Sequence, residues 1–451
     1  MCYDMLKQNW FVLIYEIGMR NVHVYFCNFT LELTKFNFIL MNKLILIILF
    51  FVVFSCSSLK EVQFKTLVNT TTKAINNQKK NIYSLEEIEV YASNKFDGAR
   101  LNGFEKVNDS TVKVIIIPEN TPINNSAYYS FKIWSKKEKT IYIQFDYPEG
   151  FKHRYIPKIK TVSSPWEQMN DENISIKENV VSVKLDVVRD TTWVSAQELI
   201  TSTDTREWYT NLIVNKTNYV HLKSVGKSML GKDLPVLDIY KGKKEKKPIV
   251  VLLTRQHPPE VTGFFAFQEF LKTILKENNL TSDFLNTYRV LAFPIVNPDG
   301  VDLGHWRHNA GGVDTNRDWS KYNQPEIKQI IKFITKVSKK DNGRIILGLD
   351  FHSTYEDVFY TNKIRKETTL PNFIEAWFAT IEKNIPDYKV NEKSANSTKP
   401  VSKGWFLYGQ NAVGITYEIG DATPRDKIKL VGKVTAEEMM KILITSKLNI
   451  N

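Results

Sequence analysis

Cysteine is nearly absent from this chain: three in 451 residues, at Cys2, Cys27 and Cys56. That excludes a disulfide framework, so stability has to come from ordinary apolar cores, for which the chain is long enough. Long apolar runs are also missing. The run Leu44 to Phe54 has eleven residues, too few to cross a bilayer as a helix. There are no internal repeats and no nucleic-acid-binding motif, which removes the first explanation of a basic chain. Acidic residues are in short supply: 49 Asp and Glu stand against 61 Lys and Arg, a formal charge of +12. The surplus suits contact with anionic membrane or cell-wall material, with a lysine-rich background composition as the equal rival.

The front of the chain reads as an address. Met41-Asn42-Lys43 precedes the apolar run, and Ser55-Cys56-Ser57-Ser58 follows it. A basic start, a short apolar stretch and small residues at the cut are a secretory signal. Val53-Phe54-Ser55-Cys56 resembles a bacterial lipobox. That implies cleavage before Cys56, lipidation of that cysteine and a membrane-anchored protein of the cell envelope, periplasmic or surface-exposed. The alternative is a plain secretory signal. Such a signal belongs at a chain start, so residues 1–40 are expected to be a mis-assigned extension ahead of translation from Met41, with a genuine leader as the rival. Removing residues 1–55 takes away four basic and three acidic residues and leaves +11.

Residues 60–205 alternate apolar and polar in short runs. Examples are Thr111 to Ile115, Tyr128 to Trp134, Thr140 to Phe145 and Val180 to Leu185. Period-two runs between turns such as Pro118-Glu119-Asn120-Thr121-Pro122 and Tyr147-Pro148-Glu149-Gly150 predict an antiparallel β-sandwich. The polar stretch Ser202 to Arg206 is expected to be a linker. From there to 451 the pattern changes to continuous apolar runs alternating with helical ones, the mark of an α/β domain with a largely parallel sheet. Val214 to Lys223 and Pro235 to Tyr240 are its expected first strands.

The chemistry-bearing residues stand where those runs end. Ile249 to Leu253 leads to His257-Pro258-Pro259-Glu260, with a helical pattern after it. Ile345 to Phe351 leads to His352. Two histidines and one carboxylate form the ligand set of a hydrolytic zinc site with one open position. Glu418, in the run Val413 to Gly420, is the candidate proton carrier, and partial burial there would raise its pKa. Between the histidines lie Asn297-Pro298-Asp299-Gly300, a turn signal after the strand-like Arg289 to Val296, then Arg307, Asp314, Asn316 and Arg317. Arg307 offers a guanidinium for a developing oxyanion. Asn316 and Arg317 suit a carboxylate. Asp314 suits the free N–H of a ligating histidine.

The stretches 254–271, 293–319, 349–353 and 414–420 together resemble the zinc metallocarboxypeptidase family, the carboxypeptidase A-like enzymes, and within it the cytosolic carboxypeptidase-like branch. The resemblance implies a mixed, mostly parallel eight-stranded sheet flanked by helices, preceded by a β-domain. It implies one Zn2+ per chain on His257, Glu260 and His352. It makes Arg307 the residue that polarises the scissile carbonyl, Asn316 and Arg317 the grip on the substrate's terminal carboxylate, Asp314 the support of the first histidine, and Glu418 the general base and acid. The family position on the floor of the specificity pocket falls on Lys403, which would favour acidic C-terminal side chains. The chain departs from the family at Asn396, where many members carry a tyrosine; Tyr408 is nearby but off-register.

The expected activity is zinc-dependent hydrolysis of the C-terminal peptide bond of peptides. Two alternatives remain open: an envelope enzyme acting on γ-D-glutamyl bonds of cell-wall peptides or on acylated amino acids, and a non-catalytic binding protein on the same scaffold. His153, His221, His305 and His308 have no ligand partner at useful spacing and are expected to be structural or exposed.

Overall fold

A computed structural model of the protein describes residues 23–26, 29–32, 59–177 and 180–445. Residues 1–60 and 61–451 are separate compact units. In the first, His23–Phe26 and Phe29–Glu32 pair as an antiparallel hairpin. The expected signal sequence, Cys56 and most of the expected extension lie outside the described residues.

Among the described residues, the second unit contains three sheets. Two lie within 82–195. One is six-stranded and antiparallel throughout, in the order Glu167–Gln168, Lys158–Lys160, Thr192–Ser195, Ser130–Ser135, Val90–Ser93, Ile82–Leu85. The other has the order Ile174–Lys177, Val180–Val187, Lys139–Asp146, Thr111–Ile115, Gly103–Lys106. Inward-facing side chains of both, such as Ala92, Phe131, Val114, Ile143 and Val183, share one core. One pair departs from the expected antiparallel pattern: Thr111–Ile115 runs parallel to Lys139–Asp146. The chain between them visits the opposite sheet as Ser130–Ser135, and so gains the length a parallel return needs.

The expected linker is instead the first turn of α1 (Ser202–Leu212). Its polar residues are cap chemistry. The Thr201 side chain accepts from the Asp204 N–H, and the Asp204 carboxylate accepts from the Thr201 N–H at 2.7 Å.

The third sheet is eight-stranded. Its strands are β1 (Val220–Lys227), β2 (Asp233–Ile239), β3 (Ile249–Thr254), β4 (Arg289–Phe293), β5 (Ile345–Thr354), β6 (Val358–Thr361), β7 (Glu392–Ser394) and β8 (Val413–Gly420), in the spatial order β1-β2-β4-β3-β5-β8-β6-β7. The centre, β4-β3-β5-β8, is parallel, and β1, β2 and β6 supply the antiparallel pairs. The central strands are buried on both faces, as parallel strands require. On one face, Leu252, Leu349 and Ile415 pack with α2 (Val261–Ile274), α3 (Asn279–Thr287), α6 (Phe373–Asn384) and α8 (Arg425–Thr445). On the other lie α5 (Pro325–Lys340), whose Phe333 meets Phe293, and α7 (Ser402–Gln410), whose Phe406 fills the space above Gly348. Gly263 lets α2 cross the end of β5, because a Cβ there would lie 2.2 Å from the His352 carbonyl oxygen. The Asn297-Pro298-Asp299-Gly300 signal is not a free turn. It opens the short helix α4 (Pro298–Leu303), with Pro298 in the first turn and the Asn297 side chain accepting from the Gly300 N–H at 2.9 Å.

Residues 61–78 form a strap over the loops of this domain. Ser320 donates to Val62 O at 2.8 Å, Thr66 N–H to Thr398 O at 2.9 Å, Thr70 Oγ1 to Asp318 at 2.5 Å and Lys73 N–H to Gly311 O at 2.8 Å.

Candidate metal centre and active site

β3 ends in a tight turn in which Arg255 takes a left-handed φ of 56°. The two prolines after His257 fold its imidazole back towards Glu260, the residue that precedes α2. His257 Nδ1 lies 2.8 Å from Glu260 Oε1, and His352 Nδ1, from the end of β5, lies 2.5 Å from Glu260 Oε2. Potential ligand atoms of these three buried side chains all lie within 4.8 Å of one another. The sequence expectation for the metal ligands therefore meets at one point, at the carboxyl ends of parallel strands where open α/β sheets place their sites.

The outward nitrogens of both rings are held. His257 Nε2 is 2.9 Å from Asp314 Oδ1, and His352 Nε2 is 2.8 Å from Asp350 Oδ2. A carboxylate behind each imidazole fixes the ring and leaves its Nδ1 for a metal. Asp350 was not singled out from the sequence. Its signal was present: in a strand, Asp350 and His352 are two residues apart and share a face. Gln256 Nε2 also donates to Asp350 Oδ2, at 2.5 Å.

Burial alone would push the Glu260 carboxyl pKa up, but the two histidines hold it well below its usual range. Burial likewise works against charge on His352, and Asp350 and Glu260 outweigh it, raising its pKa well above the ordinary value. Two imidazoles thus face buried negative charge from Glu260, Asp314 and Asp350. The donor set and this charge both fit a divalent zinc ion, which His257, Glu260 and His352 would hold.

Asp314 is a hub. Besides His257 it accepts Arg307 Nε–H at 2.7 Å and the Asn316 N–H at 2.9 Å, and Arg317 Nη1 stands 3.7 Å away. Arg307 Nη1 reaches to 4.0 Å from Glu260 Oε1, so its guanidinium borders the cluster. Asn316 is turned inwards: its Oδ1 accepts the Ser402 N–H at 3.0 Å and its Nδ2 lies 3.4 Å from His352 Nε2. Arg317 remains partly open and lines a small pocket with Phe64, Thr70, Lys321 and Pro400.

Glu418 is the Cα partner of His352 across the parallel β5–β8 pair. It is the one position of β8 that is not fully buried. Burial, reinforced by repulsion from Glu260, pushes its pKa up to about 8 against the pull of His352 and Arg307. Its Oε2 has no hydrogen-bond partner among the described residues. A proton acceptor poised near neutrality therefore stands beside the metal ligands.

Lys403 is not placed as the sequence suggested. At 7% exposure in the first turn of α7, its ammonium donates to Thr361 O at 2.8 Å and Ala395 O at 2.6 Å, and burial lowers its pKa to about 8. The ammonium is held by two backbone carbonyls just at the ends of β6 and β7 instead of standing free. Asn396 accepts two backbone N–H groups, and Tyr408 donates to Ser397 O. His305 and His308 are buried and bonded away from the ligand cluster.

The 82–195 region also reaches the site, which sequence reasoning missed. Arg154 donates from Nε to Asp421 Oδ2 at 2.9 Å and from Nη2 to Ser353 O at 3.4 Å, beside the end of β5. No local pattern links residues so far apart.

The family model for zinc carboxypeptidase matches residues 205–437, just over half of the chain. Cytosolic carboxypeptidase 2 of Xenopus tropicalis is 28% identical over 180 residues, which are 38% of this chain and 19% of that protein. The chain thus covers less than a fifth of that relative. A metallo-carboxypeptidase from Burkholderia cenocepacia superposes with a TM-score of 0.65 at 13% identity, over 78% of this chain and 98% of the other. A metallo-carboxypeptidase from Pseudomonas aeruginosa does so with a TM-score of 0.61 at 13% identity, over the same shares. These two likenesses show that the fold is shared beyond the catalytic sheet. On its four motifs, its eight-stranded sheet and this match, the chain belongs to the zinc carboxypeptidase family.

Proposed function

We propose that this protein is a zinc metallocarboxypeptidase that hydrolyses the C-terminal peptide bond of peptides. The observation that carries the reading is Glu418, with one oxygen unbonded among the described residues, standing beside the His257–Glu260–His352 cluster as the cross-strand partner of His352. Bound zinc would supply Lewis acidity to a carbonyl and acidity to water. The chain's own residues do the rest. Glu418 takes the proton of the attacking water and returns it to the departing amine. Arg307, fixed through Nε by Asp314, presents its Nη groups to negative charge growing on the carbonyl oxygen. Arg317, with the Asn316 amide beside it, takes the substrate's terminal carboxylate.

The finer reading is a preference for acidic C-terminal residues. Its support is the basic lining formed by Arg317 and Lys321. The address is read from the Val53 to Cys56 stretch: a lipid anchor on Cys56 and a place in the cell envelope.

The test is a peptide panel ending in Glu, Lys or Phe, each with a free and an amidated C-terminus, offered to zinc-loaded protein. Release of one residue from free ends only is expected, fastest from Glu. Cleavage of amidated peptides would overturn the exopeptidase reading. No cleavage, with zinc bound, would shift the choice to γ-D-glutamyl cell-wall peptides. The Pseudomonas aeruginosa neighbour was solved with (2-guanidinoethylmercapto)succinic acid, which makes that compound a ready competitor to try on this chain.

A further inference from the structure

The turn Pro118 to Pro122 of the sandwich region does something its surface-turn sequence does not suggest. Glu119 is fully buried. Its carboxylate accepts three consecutive backbone N–H groups of the catalytic domain: Trp306 at 2.8 Å on Oε2, Arg307 at 3.0 Å and His308 at 2.7 Å on Oε1. Asn120 continues the clamp, with Oδ1 at 2.5 Å from His308 Nδ1 and Nδ2 donating to Gly312 O at 3.0 Å. Arg100, also buried, donates to Gly304 O at 2.7 Å. The Trp306 side chain belongs to the sandwich core, packed against Tyr147 and Phe151. Arg307 is the next residue, and its side chain turns the other way, to Asp314 and Glu260. Burial works to protonate Glu119, and His305, Arg100 and His308, with the His308 N–H, set its pKa below the usual value.

We propose that the sandwich region is a positioning element of the active site, and that Glu119, by holding the backbone of Trp306 to His308, sets where the Arg307 guanidinium stands. A carboxylate with three N–H donors on two oxygens fixes a short loop in both position and tilt. Displacing a charge-stabilising group by about 1 Å costs up to about 100-fold in rate. Glu119 touches no reacting atom, so it acts through Arg307 and is a positioning residue. This inference rests on the peptidase reading for its kinetic test.

The experiment is Glu119→Gln, which replaces one accepting oxygen with a donor facing a backbone N–H. The expected result is a fall in kcat of about 10- to 100-fold with KM changed less than about threefold and zinc still bound. Combined with Arg307→Ala, it should add less than about threefold to the loss from Arg307→Ala alone, because both remove the same contribution. A wild-type kcat, or losses that multiply, overturns the proposal. If Glu119→Gln does not yield folded protein, Glu119→Asp keeps the charge on a shorter arm and is read the same way. A third readout needs neither variant nor substrate. The amides of Trp306, Arg307 and His308 in the wild type should exchange with solvent as slowly as those of β3; fast exchange overturns the proposal. Failure of the wild type to cleave any peptide counts against the peptidase reading, while wild-type cleavage with an unchanged Glu119→Gln kcat counts against Glu119 alone.

Discussion

The two halves of the second unit bury their strands differently. In the sandwich, Val180–Val187 alternates exposed and buried positions, and so does Lys139–Asp146. In the catalytic sheet, β3 and β4 are buried at every position and β5 at all but its last. A strand with one wet face can carry polar residues anywhere along it, so none of them stands out. A strand covered on both faces has room for polar side chains only where it ends. That is why His352, Asp350 and Glu418 cluster at strand ends and why His257 follows one. The sandwich contributes to the site differently, through loops: Glu119 and Arg154 leave their own domain and bond to the other.

Several measurements would break or sharpen this contrast. The largest effect is expected at the strand ends. His352→Ala should lose the metal, read by mass spectrometry, and with it all turnover. Glu418→Gln should keep the metal and lower kcat by about 10²- to 10⁴-fold. Metal loss in Glu418→Gln would show that Glu418 helps hold the ion instead of carrying a proton. Next come neighbouring alanine substitutions. Leu252→Ala and Leu253→Ala, adjacent and both fully buried, should each cost about 2–5 kcal/mol in urea denaturation. Ile143→Ala in the sandwich should cost as much, while Tyr142→Ala beside it, 43% exposed, should stay within about 0.5 kcal/mol. Unequal costs at 252 and 253 would contradict two-sided burial.

A pH-dependent effect is expected at the clamped loop. Burial lowers the His305 pKa to about 4, with Glu119 opposing and Arg100 reinforcing the shift. The unfolded chain takes up a proton near pH 6.5 that the folded His305 refuses until about 4. Stability should therefore fall as pH drops through that window, by up to about 3 kcal/mol from this group. His305→Asn, which keeps a donor for the His308 carbonyl, should reduce that slope. An unchanged slope would place the acid sensitivity elsewhere.

What the sequence made legible follows from the same contrast. His257, Glu260 and His352 could be read because each stands next to an apolar run, and Glu418 because it interrupts one. The structure brings them together at the carboxyl ends of the central strands β3, β5 and β8. Asp350 was hidden by being counted as part of the run before His352. Lys403 rested on a family position alone, and in three dimensions two backbone carbonyls claim its ammonium. The Ser202 to Arg206 stretch read as a linker because residues that cap a helix also suit a loop. Glu119 was beyond reach altogether. Its partners lie 187 to 189 residues away, and nothing local distinguishes a turn glutamate that clamps a backbone from one that meets water.

The strap of residues 61–78 bears on how the chain acquires its shape as it is made. Thr70 pairs with Asp318 across 248 residues, and Ser320 with Val62 across 258. These early residues are synthesised well before the loops that receive them. Contacts of such long sequence separation are slow to form. The stretch from Val62 to Lys73 therefore lacks these partners until residues 311–398 exist, and a nascent chain stalled before residue 311 would still carry it undocked.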